Sequence, residues 1–195
     1  MIVSTDTLRE ERVPPGQRET RAWPVLHYGD VPGFDKARWD FRVFGEVSTP
    51  LRFSFDEFFA LPRLQVKCDI HCVTTWSKLG MLWEGVPVRF LMEKSGVKPT
   101  AKYVLAHCEQ GFTANIPLSD FTEPDVICGM KADGKDLTPE HGYPLRLLVP
   151  KLYFWKSAKW LRGIEFLEKD QPGFWEQNGY HMRGDPWTEE RYRTY

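Results

Sequence analysis

The sequence predicts an α+β fold made mostly of mixed β-sheets with short helices. Three observations lead there. Segments that alternate apolar and polar residues outnumber segments with helical periodicity. The helical segments are short and carry their own start and stop residues. No Gly-rich strand–helix fingerprint is present, so a classical dinucleotide fold is not indicated. The 195 residues suit one large domain, and the apolar share of 42% is enough for a real core. Thirteen Phe, eight Trp and seven Tyr imply that many aromatic rings line a core or a pocket.

Residues 1–20 are polar, mixed in charge, and read as a flexible N-terminal segment. Residues 23–34 hold Pro24, Gly29, Pro32 and Gly33 and read as an ordered loop. Residues 39–47 alternate through Phe41 and Val43 as a strand does. Ser54 and Glu57 have capping-box spacing ahead of Phe58 and Phe59, which starts a helix that Pro62 must end. Leu64, Val66, Cys68, Ile70 and Cys72 then fall on one strand face, with Gln65, Lys67, Asp69 and His71 on the other. Residues 88–95 suit a helix closed by Gly96. Residues 103–108 and 114–118 are predicted strands. Residues 126–130 followed by Asp133-Gly134 suggest a hairpin. Residues 145–149 form a buried strand stopped by Pro150, and 164–167 form another. The domain proper spans residues 21–170, and residues 171–195 read as a wrapping C-terminal tail.

Composition excludes some function classes. A formal net charge of −1 gives no field to recruit nucleic acid. No apolar run is long enough for a membrane span, and residues 1–17 lack the apolar core of a secretory signal, so a cytoplasmic protein is expected. In that compartment the four cysteines, Cys68, Cys72, Cys108 and Cys128, are not a disulfide framework. Cys72 stands apart. It ends the cleanest strand pattern, on the apolar side, where Thr74, Thr75 and Ser77 begin a loop.

The local string is Cys72-Val73-Thr74-Thr75-Trp76-Ser77, followed by Trp83-Glu84-Gly85-Val86-Pro87. A second block runs His141-Gly142-Tyr143-Pro144-Leu145-Arg146-Leu147-Leu148-Val149-Pro150, then Lys156-Ser157-Ala158-Lys159-Trp160. With these two blocks in this order, the chain resembles the sulfite oxidase family of molybdenum enzymes. It is most similar to the short bacterial branch near the methionine sulfoxide reductase catalytic subunit. The resemblance implies a sulfite oxidase-like molybdopterin-binding fold and a molybdenum–molybdopterin cofactor. It also implies two-electron oxygen-atom transfer on a small-molecule substrate. Cys72 would be the metal's thiolate ligand and the catalytic centre, since a soft deprotonated sulfur suits such a site. Arg146 and Lys159 take positions that contact the cofactor, and an arginine fork and a lysine point charge both suit a phosphate. Backbone N–H groups of Ser157 and Ala158 would sit beside it. His141 and His27 take Asn/His positions toward the pterin, and Cys108 takes a position near the cofactor. Sulfite oxidases place Arg and Asn where this chain has Val25 and Leu26, which argues against sulfite as the substrate.

Two further readings remain at this level. Cys68, His71 and Cys72, with His107 or Cys108, could form a structural zinc module, although neighbouring strand residues face opposite ways and Cys-x-x-Cys knuckles are missing. Alternatively, the chain is a non-catalytic domain of the same fold. His71 and His107 would share a face, as a proton relay or substrate contact, if their two strands pair. No haem-attachment motif is present, so electrons would pass to or from a separate partner or soluble carrier.

Overall fold

The computed structural model describes residues 1–193. The chain begins with β1 (Ile2–Val3) and β2 (Arg18–Glu19), then β3 (Asp40–Gly45), β4 (Leu51–Ser54) and helix α1 (Phe55–Phe59). It continues through β5 (Leu64–His71), β6 (Trp76–Pro87), α2 (Val88–Ser95), β7 (Tyr103–Cys108), β8 (Thr113–Pro117) and α3 (Leu118–Phe121). The last elements are β9 (Ile127–Ala132), β10 (Lys135–Asp136), β11 (Arg146–Leu148), β12 (Leu161–Leu167) and α4 (Phe174–Gln177).

The strands form two mixed sheets. One orders β1-β5-β6-β9-β10, with β2 beside β6 and β11 beside β9; the other orders β4-β3-β12-β7-β8. Local chemistry explains the helices. Ser54 Oγ accepts from Glu57 N–H while the Glu57 carboxylate accepts from Ser54 N–H, the reciprocal capping box that starts α1. Gly96 closes α2 in the left-handed region at φ 63°. Asp133 and Gly134 both take positive φ, 50° and 77°, which matches the right-handed twist between β9 and β10.

The larger core joins Phe41, Val43 and Phe58 to Val104, Ile116, Leu147, Leu161 and Phe166, all buried. A second core, of Val66, Cys68, Ile70, Trp83, Ile127 and Leu148, backs the other sheet, and Cys72 and Phe154 pack at its margin.

Three expectations need correcting. Residues 1–20 were expected to be flexible, but β1 pairs in parallel with β5 and β2 in parallel with β6. The exposed backbone of β5 and the buried Asp69 need partners. Arg12 supplies a fork to Asp69, at 2.9 and 2.5 Å, and Thr7 Oγ1 accepts from the Asp69 N–H. The second is the loop expected to begin at Thr74, Thr75 and Ser77: β6, the longest strand, already starts at Trp76. The third is that β5 and β7 lie in different sheets, so His71 and His107 share no face. His71 is buried against Ser77 Oγ at 2.8 Å, and burial pushes its imidazolium down to about 4. His107 instead pairs with Glu165 on neighbouring β12.

Candidate functional site

Beyond β5 the chain turns at once. Cys72 N–H donates to Trp76 O at 2.8 Å and Thr75 N–H donates to Cys72 O at 3.0 Å, so residues 72–76 form a tight turn into β6. Cys72 is only partly buried, unlike the three core cysteines, and lines a cavity of about 280 Å³. Its Sγ lies 3.2 Å from Thr74 Oγ1, and either group can donate. Burial pushes the thiol up, opposed by that hydrogen bond and by the charges of Arg146 and Arg191.

Arg146 enters the cavity from β11. Its side chain is 1% exposed, and its nearest partners are backbone carbonyls. Nη1 donates to His141 O at 2.9 Å and Nη2 to Ser157 O at 2.6 Å, while Nε is buried with no acceptor. The guanidinium lies 4.1 Å from the centre of the Phe154 ring. No carboxylate pairs with it among the described residues, and burial lowers its pKa to about 9. Lys159 is arranged alike. Its Nζ donates to Leu26 O at 2.7 Å and Glu140 O at 2.6 Å, and burial followed by repulsion from Arg146 lowers its pKa to about 7.

His141 stacks on Trp23 with ring centres 3.8 Å apart. Its Nε2 donates to Trp23 O at 3.3 Å, which leaves Nδ1 to accept from the Thr138 hydroxyl at 3.0 Å. Both nitrogens are therefore used within the protein, and the ring presents a face to the cavity. His27 is exposed at the rim, with Nδ1 donating to Gly29 O and its ring edge-on to Trp160. Ser157 Oγ accepts from Val149 N–H, and the Ser157 amide is bonded to Phe154 O. The Ala158 amide meets no acceptor among the described residues.

Seven of the eight candidates thus reach one cavity: His27, Cys72, His141, Arg146, Ser157, Ala158 and Lys159. Cys108 does not line it. It is buried in the larger core at the end of β7, and burial drives its thiol far up. The zinc alternative fails on the same geometry: Cys68 is a core residue, His71 turns toward Ser77, and no three His, Cys, Asp or Glu side chains converge among the described residues.

Sequence reasoning expected aromatic rings at a core or pocket but did not say which rings would wall this cavity. Trp23, Trp76, Phe154, Trp160, Trp175 and Tyr180 all line the cavity. The last two come from the C-terminal segment, where Trp175 and Tyr180 stack at 4.9 Å. The aromatic density of that segment was the available signal. What it packs against was not readable. The arrangement suits a flat, anionic ligand: a buried arginine and a half-buried lysine with no carboxylate partner among the described residues, an unpaired amide, aromatic walls and one accessible sulfur able to ligate a metal.

A profile of the oxidoreductase molybdopterin binding domain matches residues 28–175. The chain is 53% identical over 182 residues to an uncharacterized oxidoreductase of Bacillus subtilis, YuiH, covering 93% of this chain and 92% of that one. It is 30% identical over 168 residues to a putative protein-methionine-sulfoxide reductase subunit of Azospira oryzae, YedZ1, covering 85% of this chain and 64% of that one. Its fold is similar to that of the sulfane dehydrogenase SoxCD of Paracoccus pantotrophus. The TM-score is 0.68 at 22% identity, over 94% of this chain and 52% of that one. No helix among the described residues is long and apolar enough to cross a membrane.

Proposed function

This chain belongs to the oxidoreductase molybdopterin-binding family, and on that premise we propose that it transfers an oxygen atom to or from a small molecule, with Cys72 as the protein ligand to molybdenum. The chain is an enzyme of this family, its cofactor is molybdopterin with molybdenum, and its two-sheet architecture is the predicted sulfite oxidase-like one. When bound, the cofactor supplies a metal that exchanges an oxygen atom with substrate while its oxidation state changes by two.

The observation that carries the proposal is the pairing of Cys72 with Arg146 in one cavity. A guanidinium buried without a carboxylate is costly, and an anionic ligand removes that cost. Arg146 and Lys159 hold the cofactor's phosphate, the Ala158 amide adds a hydrogen bond, and Trp23 with His141 offers flat faces to the pterin. The aromatic wall of Trp160, Trp175 and Tyr180 limits water at the sulfur. Positive charge from Arg146 favours the Cys72 thiolate. Cys108 has no part in this assignment.

Val25, exposed and between the cavity-lining Pro24 and Leu26, stands where sulfite oxidases carry arginine and favours a substrate other than sulfite, and the likeness to YedZ1 makes methionine sulfoxide the first compound to test. We assign electron delivery to a separate partner or soluble carrier. The decisive experiment is Cys72→Ser in the cofactor-loaded protein. The variant should stay folded, lose at least about a hundredfold in reduced-viologen turnover of methionine sulfoxide and other S- and N-oxides, and lose the sulfur-to-metal absorption band. A variant with full turnover and an unchanged band sinks the assignment.

A further inference from the structure

The turn that presents Cys72 is gripped from outside by segments near both ends of the chain. Three of its carbonyls take hydrogen bonds from residues distant in sequence. Gln17 Nε2 donates to Cys72 O at 3.0 Å. Arg191 Nη1 donates to Val73 O at 2.8 Å. Arg18 N–H donates to Thr75 O at 3.0 Å, and β2 then runs on beside Trp76 and Ser77. The turn needs such support, because Thr75 sits at φ 75°, a region that disfavours a β-branched residue.

The two grips are joined to each other. Arg191 Nη2 donates to Pro15 O at 3.3 Å, two residues before Gln17, while its guanidinium lies 5.1 Å from the Tyr153 ring centre. Gly16 lies between, at φ +68°. That left-handed backbone favours glycine, and the side-chain ends of Glu189 and Arg191 pack within 3 Å of where a Cβ would stand. The Arg191 side chain is only 15% exposed, and its one carboxylate neighbour among the described residues, Glu189, is 3.8 Å away and half exposed. Its main partners are thus two carbonyls, one from the Cys72 turn and one from the N-terminal segment.

We infer that Gln17 and Arg191 are positioning residues, which together clasp the 72–76 turn and fix the direction in which Cys72 presents its sulfur. The inference rests on Cys72 as the metal ligand. The clasp itself is a property of the protein alone. A thiolate ligand bonds along a defined direction, so a turn free to rotate would meet the metal in several geometries, whereas a clasped one meets it in one. Neither grip belongs to a large apolar core, and both converge on this turn.

The test uses Gln17→Ala, Arg191→Gln and Arg191→Lys, each prepared without cofactor and cofactor-loaded. In cofactor-free protein, amide exchange at residues 73–76 should rise at least about tenfold in Gln17→Ala and Arg191→Gln, while exchange in β7 stays as in wild type. In loaded protein, the sulfur-to-metal absorption band should shift or broaden in the same two variants. Arg191 reaches Val73 O and Pro15 O with two separate nitrogens, whereas lysine offers one, so Arg191→Lys should recover less than half of either change. Unchanged exchange at 73–76 in both Gln17→Ala and Arg191→Gln overturns the clasp. Full recovery with lysine overturns the guanidinium's part in it, since a single ammonium would then hold the turn equally well. A wild-type protein lacking the band would instead overturn Cys72 as ligand, with the exchange experiment still reading the clasp.

Discussion

Lys156 is 0% exposed and Arg146 is 1% exposed, and Arg146 donates to the carbonyl of Ser157, the residue that follows Lys156. Lys156 has a complete set of partners. Its Nζ meets Glu176 Oε1 at 2.6 Å, Asn115 O and Oδ1 at 2.8 and 2.7 Å, and Met182 O at 2.6 Å. Glu176 Oε1 also accepts from Trp155 Nε1 at 2.7 Å. Arg146 has two carbonyls, an aromatic face and no acid. The same burial problem is solved internally at one residue and left open at the other. A cation whose counter-charge comes from the chain holds structure together, here fastening α4 and the segment after it. A cation left without one is, on the proposed function, where a ligand would bring the charge.

The largest expected effect is at the closed site. Lys156→Met strands Glu176 in the interior and should destabilise the cofactor-free protein by about 3–5 kcal/mol in urea unfolding. The double variant Lys156→Met/Glu176→Leu should recover most of that loss. A loss below about 1 kcal/mol for the single variant would show that the pair does not hold the segment.

Arg146→Met should behave differently. It frees two carbonyls from a donor but removes a charge without a counter-ion, so cofactor-free stability should stay within about 2 kcal/mol of wild type. Metal and pterin content after expression with cofactor should fall at least about tenfold. If Arg146→Met costs as much stability as Lys156→Met and leaves content unchanged, the contrast between the two cations collapses.

The smallest effect is a pH slope at Lys159. Its pKa is about 7 in the folded protein against an ordinary 10.5. Between those values the unfolded chain binds more protons, so cofactor-free stability should rise as pH goes from about 7 toward 10.5. Below about 7 both states are protonated and the slope ends. A Tm series over that window should show the rise in wild type and a flatter line in Lys159→Met. A bound phosphate reverses the preference by stabilising the charged amine, so loaded protein should lose part of the rise.

Much of the frame was legible. The capping box at Ser54 and Glu57, the Gly96 stop and the Asp133-Gly134 turn depend on contacts within a few residues, and all three appear as predicted. Cys72 at the end of an alternating strand was legible for the same reason. The 12-residue β6 was not, because Ser77, Lys78, Gly80 and Glu84 break any period. It is a strand because β5 and β9 flank it, with β2 alongside its first residues. The alternation of β5 also misled at Asp69 and His71, whose face is covered by the N-terminal segment.

The sequence by itself therefore determined the local elements, the exceptional cysteine and, through its two motif blocks, the family and its cofactor. Only the tertiary structure decided which candidates meet. It brought seven to one cavity and left Cys108 in the core. It also separated Arg146, which has no carboxylate partner among the described residues, from the satisfied cation Lys156, and turned both terminal segments onto the Cys72 turn. The physical reason is reach. Caps and turns are set by neighbours in sequence, whereas the counter-charge and the clasp join residues far beyond one turn of chain, 55 positions apart for Gln17 and Cys72 and 118 for Arg191 and Val73, and no local pattern records them.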